Sequence, residues 1–198
     1  CCRSQQRKVI GIPILSGFFY VFYLNLSYKS ITMSTSNGTI QTVVEHKIAT
    51  ITFSHPASNS FPSNQLSALT DELNRLSNDE AVSVIVLKST GEGAFCAGAS
   101  FDELLAVSYL EEGKAFFSGF ANVINAMRSC SKLIIGRVQG KAVGGGVGLA
   151  AACDYVFATD FASVKLSEIA IGIGPFVIEP AVSRKIGKTA LSQLTLEA

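Results

Sequence analysis

The chain has 198 residues, of which 48% are hydrophobic and 16% are charged, and this length predicts one domain with a sizeable core. Its 16 Lys and Arg residues nearly balance 15 Asp and Glu residues, so nucleic-acid binding is not expected. Five cysteines without a CxxC pair inside the domain, and only two histidines, argue against a disulfide framework, a metal site or a Ser-His-Asp nucleophile. The cysteine usage favours a reducing, cytoplasmic location.

The beginning of the chain differs in composition from the rest. Basic residues precede an apolar run over residues 9–26, an order typical of a signal segment or membrane anchor. Pro13 weakens a spanning helix, and Met33 with the polar residues after it resembles a natural start. We therefore interpret residues 1–32 as an artefactual or non-conserved leader and assign 33–198 to the domain. A genuine anchor is the alternative, and membrane association is expected only in that case.

The domain alternates strand and helix patterns, with one strand for each helical return and no internal repeat. β-branched runs and short continuous apolar runs predict the strands, and leucines at helical spacing predict the first helix. The predicted order is a hairpin of strands 39–45 and 48–53, a helix over 66–76, a strand at 82–87, helices over 102–110 and 114–127, a strand at 133–138, a helix over 149–153, a strand at 155–158 and a helix over 189–197.

Two loops of small residues each follow a predicted strand and enter a helix, which is where ligand chemistry is expected. They cover residues 94–100 and 140–148. Small residues let backbone N–H groups approach a ligand, and a helix N-terminus directs its dipole at negative charge. Either loop alone is equally consistent with close helix packing, but together they favour a site in which both reach one oxygen atom.

Four motifs, in order along the chain, resemble the crotonase family, which comprises the enoyl-CoA hydratases and isomerases. They are Phe95-Cys96-Ala97-Gly98-Ala99, Val138-Gln139-Gly140-Lys141-Ala142-Val143-Gly144-Gly145-Gly146, Cys153-Asp154-Tyr155 and Leu166-Ser167-Glu168-Ile169-Ala170-Ile171-Gly172-Ile173. The resemblance runs from about Thr39 to the end. It implies an α/β, crotonase-like spiral of ββα units, C-terminally truncated here, that assembles as a homotrimer or hexamer. It also implies acyl-CoA substrates, and no cofactor beyond the coenzyme A that the substrate carries.

The resemblance also implies roles for individual residues. The backbone N–H groups of Ala99 and Gly145 would form an oxyanion hole for the thioester oxygen, and Glu168 would be the acid/base. Such donors meet the developing negative charge without reorganisation, and a carboxylate within reach is needed to move the proton. No metal is implied. The implied substrate-binding residues are Ala57, Ser58, Ala97, Gly98, Gly144 and Gly148.

Gly148 departs from the family's hydratase pattern, which has a second glutamate at the matching position. Activating a water usually takes both carboxylates, whereas moving one proton between two carbons needs only one. The expected activity is therefore double-bond isomerisation by Glu168 alone, with hydration of an enoyl-CoA or methylglutaconyl-CoA-type substrate as the alternative. Glu179 is a further candidate, either as a second acid or as a charge at a helix N-terminus.

Two other functional classes stay open. Residues 146–151 match the GxGxxA pattern, and Glu168 follows at about the twenty-residue distance of a ribose-binding acid, so a dinucleotide-binding module is one alternative. The other alternative is a catalytically inactive scaffold of the same fold that binds acyl-CoA. It is favoured by Gly148, which stands where the hydratases of the family have a glutamate.

Overall fold

The structure is a computed structural model that describes residues 29–34 and 38–197. The apolar run over residues 9–26, and with it most of the predicted leader, lies outside the described residues. Within the described ranges, no helix combines the length and the apolar character needed to cross a membrane.

A six-stranded sheet forms the centre of the described chain, in the order β1-β2-β3-β4-β5-β7. β1, β2 and β3 pair antiparallel, and the strands from β3 onward pair parallel. A second, two-stranded sheet joins β6 and β8. The strands are β1 Lys29–Ser34, β2 Thr39–Glu45, β3 Ile48–Ser54, β4 Val84–Ser89, β5 Leu133–Val138, β6 Ala142–Val143, β7 Tyr155–Ala158 and β8 Val164–Lys165.

The helices return the chain between the parallel strands, as the alternating pattern predicts. The helix α1 packs against α3, and α4 packs against both α3 and α5. The helices are α1 Ser63–Ser77, α2 Phe101–Ala106, α3 Leu110–Ser129, α4 Gly145–Ala152 and α5 Glu179–Leu196, with a short 3-10 helix at Ile169–Ile171.

The predicted hairpin and the predicted strand at 133–138 are confirmed. The hairpin turn consists of His46 and Lys47, both with left-handed φ values of 50° and 66°, the geometry that matches the twist of paired strands. The strand β1 was not predicted, and it pairs with β2 from Lys29 to Ser34. It begins before Met33, where the sequence favours a natural start.

Several helix boundaries differ from the predicted ones, and α1 and α3 extend beyond the predicted ranges at both ends. The predicted helix 102–110 ends at Ala106, because a new helix begins after Ser108, whose N–H donates to Glu112 Oε2 over 2.9 Å. The helix α4 begins at Gly145, so part of the glycine-rich segment is helical and not a turn. The helix α5 begins at Glu179 and is interrupted at Gly187.

We expect the core face of α1 to contribute strongly to stability. Leu73 lies in this helix with 0% of its side chain exposed, so Leu73→Ala removes packed methyl groups and leaves a cavity. The free energy of unfolding in urea should fall by about 2–5 kcal/mol. Leu105→Ala is the matched control, since Leu105 is 71% exposed, and its effect should stay within about 0.5 kcal/mol. Equal effects of the two substitutions would contradict this description of the core.

Candidate active site

The two small-residue loops lie side by side and are joined by backbone hydrogen bonds. The N–H of Val143 donates to the carbonyl of Cys96 over 2.9 Å, and the N–H of Phe95 donates to the carbonyl of Lys141 over 2.9 Å. These bonds make a short parallel bridge between Cys96 and Ala142. Segments that are far apart in the sequence are therefore held in register immediately before the predicted oxyanion-hole residues.

The amides of Ala99 and Gly145 occupy adjoining turns. A Cβ built on Gly98 would lie 3.5 Å from the nitrogen of Gly145, which shows how close the two turns come. The backbone around Ala99 is held by Phe61, whose N–H donates to Gly98 O over 2.8 Å and whose carbonyl accepts from Ser100 N over 3.0 Å. Within the described chain, neither the Ala99 nor the Gly145 N–H donates to another protein group.

Most of the predicted site residues line one cavity of about 140 Å³. Glu168 is the only ionisable residue in the described wall, and the remaining wall is largely apolar and aromatic. The predicted residues that line the cavity are Ala97, Gly98, Ala99, Gly144, Gly145 and Glu168.

The carboxyl group of Glu168 lies against the second loop. Its Oε1 atom is 3.1 Å from the position that a Cβ on Gly144 would take, so the absence of a side chain at Gly144 makes room for it. Oε2 is buried and has no hydrogen-bond partner among the described residues. Burial raises the pKa of the Glu168 carboxyl above that of an exposed glutamate, because desolvation disfavours the charged form.

Gly148 lies away from the cavity, on the buried side of α4. A Cβ at this position would collide with the side chain of Ile178 and would come within 3.2 Å of Ile124 Cδ1. Ile178 itself lines the cavity. An apolar side chain therefore fills the space into which residue 148 would point, and the predicted substrate contact of Gly148 is not part of this geometry.

Ala57 and Ser58 are exposed and also lie outside the cavity wall. Ser58 is nevertheless tied to the first loop, because its carbonyl accepts a hydrogen bond from Ala97 N over 3.1 Å. These two residues therefore border the cavity-lining segment without lining the cavity. Glu179 is the first residue of α5 and does not line the cavity. Of the two roles that the sequence left open for it, this position corresponds to a charge at a helix N-terminus.

Asn59 supports the first loop, and sequence analysis did not single it out. Its Nδ2 donates to the carbonyls of Thr90 and Ala94 over 3.1 and 2.9 Å, and its Oδ1 accepts from His55 N over 3.0 Å. Asn59 is 8% exposed and has a left-handed φ of 56°, which asparagine tolerates better than most residues. An asparagine in the turn-rich segment 55–60 is therefore the sequence signal that could have identified this residue.

The thiol of Cys96 lies directly beneath the first loop. Gly98 N donates to Cys96 Sγ over 3.4 Å. Burial raises the pKa of this thiol to about 12, because the thiolate would lose its hydration. Cys96 therefore contributes to packing and to the hydrogen bonding of the loop as a neutral thiol.

The dinucleotide-binding interpretation does not fit the described backbone. Its fingerprint places glycines in the turn that precedes a helix, where the backbone approaches a pyrophosphate. Gly146 and Gly148 lie inside α4 and are buried. The Cβ of a residue at either position would meet protein atoms from other segments, so both glycines serve close packing.

The α/β fold brings together two turns of small residues, each with an unpaired amide, and places them beside a half-buried carboxyl. Such a site is suited to stabilising negative charge on an oxygen. Residues 44–198 match the profile of the Enoyl-CoA hydratase/isomerase family. The chain belongs to this family, and it has the crotonase fold.

Similar proteins carry out several reactions on coenzyme A thioesters. A short-chain-enoyl-CoA hydratase of Clostridium acetobutylicum is 31% identical over 156 residues, which cover 78% of this chain and 59% of that protein. A 4-chlorobenzoyl coenzyme A dehalogenase of Arthrobacter is 36% identical over 146 residues, covering 70% and 52%. The chain thus spans between half and two thirds of the length of these relatives.

Solved structures agree with the family assignment. A crystal structure from Legionella pneumophila, described as an enoyl CoA hydratase/isomerase (crotonase), is 33% identical with a TM-score of 0.76, covering 80% of this chain and 62% of that chain. An enoyl-CoA hydratase of Mycobacterium smegmatis is 29% identical with a TM-score of 0.75, covering 79% and 62%.

We expect Gly146 to be required for the close approach of the two loops. A Cβ at this position would collide with the carbonyl oxygen of Cys96 and would lie 2.8 Å from its Cβ. Alanine is favoured over glycine in a helix by about 0.5–1 kcal/mol, but a clash with backbone outweighs that gain. Gly146→Ala should lower the free energy of unfolding by about 1–3 kcal/mol.

Gly93→Ala is the matched control for this substitution. A Cβ on Gly93 would meet nothing within 4 Å, so the change should stay within about 0.5 kcal/mol. If Gly146→Ala were as stable as Gly93→Ala in urea unfolding, the loops could not be packed as closely as described.

We expect burial of Glu168 to make stability depend on pH. Since its folded-state pKa is raised, its contribution is fully present below the pKa of an unfolded glutamate and is lost as the pH rises through the folded-state pKa. Glu168→Gln removes the titration. The free energy of unfolding of the unsubstituted chain, relative to this variant, should therefore fall as the pH rises from the pKa of an unfolded glutamate, about 4.3, through the higher folded-state pKa. If the difference in unfolding free energy between the two proteins stayed constant or rose with pH, the raised pKa would be contradicted. Glu80→Gln is the control, because Glu80 is exposed.

Proposed function

We propose that the protein is an acyl-CoA enzyme that moves a double bond by transferring one proton between two carbons of the acyl chain. The amides of Ala99 and Gly145 hold the thioester oxygen, and Glu168 carries the proton. The observation that supports this proposal best is that Glu168 is the only ionisable residue in the described cavity wall.

The two amides act on the thioester carbonyl. Removing a proton from the carbon chain conjugates the resulting electron pair with the carbonyl, so negative charge collects on the thioester oxygen. Two N–H donors that have no other protein partner in the described chain are free to bind that oxygen, and α4 adds its N-terminal dipole. The small residues around them let the thioester approach the backbone closely.

Glu168 acts first as a base and then as an acid. Its carboxylate takes a proton from the carbon next to the thioester carbonyl of a 3-enoyl-CoA, and the electron pair forms a dienolate. The carboxylic acid then returns the proton to the fourth carbon, which yields the 2-enoyl-CoA, and no atom is gained or lost. Burial, which raises the pKa of Glu168, strengthens it as a base and brings its pKa closer to the operating pH.

The contact between Gly148 and Ile178 favours isomerisation over hydration. A second carboxylate at position 148 would have to displace Ile178, which packs against the glycine and lines the cavity. The apolar wall offers no further charged group to hold and activate a water molecule among the described residues. One carboxylate is sufficient for proton transfer between carbons.

Hydration of an enoyl-CoA is the second candidate function. It is favoured by the similarity to the short-chain-enoyl-CoA hydratase of Clostridium acetobutylicum and to the mitochondrial methylglutaconyl-CoA hydratase of Homo sapiens, which is 35% identical over 117 residues. In this case Glu168 would take a proton from the water whose oxygen bonds to the third carbon, and would deliver that proton to the carbon next to the thioester carbonyl.

The proposal extends to assembly and location. We propose that the complete protein forms a homotrimer or hexamer in the cytoplasm and uses no cofactor beyond the coenzyme A of its substrate. The exposed aromatic side chains of β7, with Tyr155 61% and Phe157 62% exposed, support an assembly in which this surface is covered.

We expect Glu168→Gln to abolish most of the turnover. Glutamine is close in size but cannot accept and return the proton, so kcat for conversion of 3-enoyl-CoA to 2-enoyl-CoA should fall by about 10²–10⁴-fold. Product formation is followed by absorbance of the conjugated thioester, and hydration is followed in parallel from 2-enoyl-CoA. Glu179→Gln is the control, because Glu179 lies at the N-terminus of α5 and outside the cavity wall.

The outcomes separate the candidate functions. Loss of 3-enoyl-CoA conversion in the Glu168 variant alone supports the proposal, and faster hydration than isomerisation by the unsubstituted protein would replace it with the second candidate. Binding of acyl-CoA without turnover of either substrate would identify an inactive scaffold. An unchanged rate in Glu168→Gln would remove this residue from the mechanism.

A further inference from the structure

Phe120 contacts the second of the two proposed oxyanion-hole turns. It lies in α3, is 5% exposed and lines the cavity. A Cβ on Gly145 would lie 2.5 to 2.7 Å from three atoms at the far end of the Phe120 ring. Since real side chains do not approach so closely, the ring occupies the space that a side chain at Gly145 would need, directly against the backbone that carries the amide.

Phe120 is also connected to the first turn, through Phe61. The two rings meet edge to face, with their centroids 6.1 Å apart and an interplanar angle of 81°. Phe61 is fully buried, and its backbone is hydrogen-bonded to the residues on both sides of Ala99, at 2.8 Å to Gly98 O and at 3.0 Å from Ser100 N. A displacement of the Phe61 ring would therefore be transmitted to the Ala99 amide.

The aromatic pair has neighbours that keep it in place. Phe61 also packs against Phe53, with centroids 4.8 Å apart, and Phe53 packs against Phe95 of the first loop at 5.4 Å. Close-packed protein interiors of this kind resist deformation. Phe120 is consequently a rigid spacer between Gly145 on one side and the Phe61 cluster on the other.

We propose that Phe120 is a positioning residue for the oxyanion hole, whose ring sets the separation of the Ala99 and Gly145 amides through its contacts with Phe61 and Gly145. This inference rests on the proposed function. It goes beyond that function by assigning the geometry of the two donors to a side chain that neither donates a hydrogen bond nor carries a charge. Donors of this kind must meet the oxygen at 2.7–3.1 Å, and a misplacement of about 1 Å can cost on the order of 10²-fold in rate.

The test measures the polarisation of a bound thioester directly. Butanoyl-CoA labelled with ¹³C at the thioester carbonyl is bound to the full chain, and the labelled carbonyl stretch is recorded by infrared difference spectroscopy. This saturated thioester has no double bond to move, so the signal does not depend on turnover. Hydrogen bonds from two fixed amides should lower the stretching frequency in the unsubstituted protein relative to the thioester in water.

Phe120→Leu should lose most of this frequency shift, and kcat on 3-enoyl-CoA should fall by about tenfold or more. Phe117→Leu is the matched control: Phe117 lies one turn earlier in the same helix and lines the same cavity, but the three atoms nearest to a Cβ on Gly145 all belong to Phe120. It should alter KM and leave the frequency shift intact. Phe120→Met, whose unbranched and flexible side chain adapts to irregular space, replaces Phe120→Leu if the latter does not fold.

Each outcome has a defined meaning. A frequency shift that is preserved in the Phe120 variant that folds would overturn the positioning role and leave the proposed function standing. The same holds if Phe117→Leu loses the shift equally, since the effect would then belong to the cavity as a whole. No frequency shift in the unsubstituted protein would instead overturn the proposed oxyanion hole, and the positioning role with it.

Discussion

The parallel bridge between the two small-residue loops is the constraint on which the rest of the site depends. Backbone hydrogen bonds between residues 95–96 and 141–143 bring together two turns that would otherwise be independent. Each turn then presents one amide with no other protein partner in the described chain. The bridge can form only because Gly146 lacks a side chain that would strike the carbonyl of Cys96. A single methyl group at that point would separate the loops.

The surroundings of the two amides are apolar, and this determines what the one carboxyl can do. The cavity is lined by aromatic residues of α3 and by aliphatic residues between positions 171 and 178. In such a setting electrostatic interactions are stronger than in water, so a few polar groups are enough for chemistry. The same low polarity raises the pKa of Glu168 and strengthens any hydrogen bond that the two amides donate. In the proposed function, these few polar groups act on one substrate oxygen and one proton.

The sequence predicted the parts of the fold that depend on local patterns. The hairpin, the strand at 133–138 and the first helix each follow from the period of their own apolar residues, and the two loops stand out by composition alone. The beginning of α5 did not follow, because its first turns contain Pro180 and lack a clear apolar period. The strand β1 was also missed, because only two of its six residues, Ile31 and Met33, are apolar, which is a weak strand pattern.

The candidate site was predictable to a similar extent. The family resemblance pointed to Ala97, Gly98, Ala99, Gly144, Gly145 and Glu168, and these six residues line one cavity, while their roles stay predictions. The contact of Ile178 with Gly148 and that of Phe120 with Gly145 join residues about thirty and twenty-five positions apart. Such contacts depend on tertiary packing. The sequence pattern marks both residues only as apolar or small and does not show which of many similar side chains meets which glycine.

The neutral Cys96 thiol has a practical consequence for anyone who wishes to block this site chemically. Because it is fully buried and its pKa is raised to about 12, almost none of it is thiolate near neutral pH, and only the thiolate is a strong nucleophile. We therefore expect alkylating reagents to leave Cys96, the neighbour of the cavity-lining Ala97, unmodified. A covalent probe for this cavity has to be an electrophile that esterifies a carboxylate, delivered to Glu168.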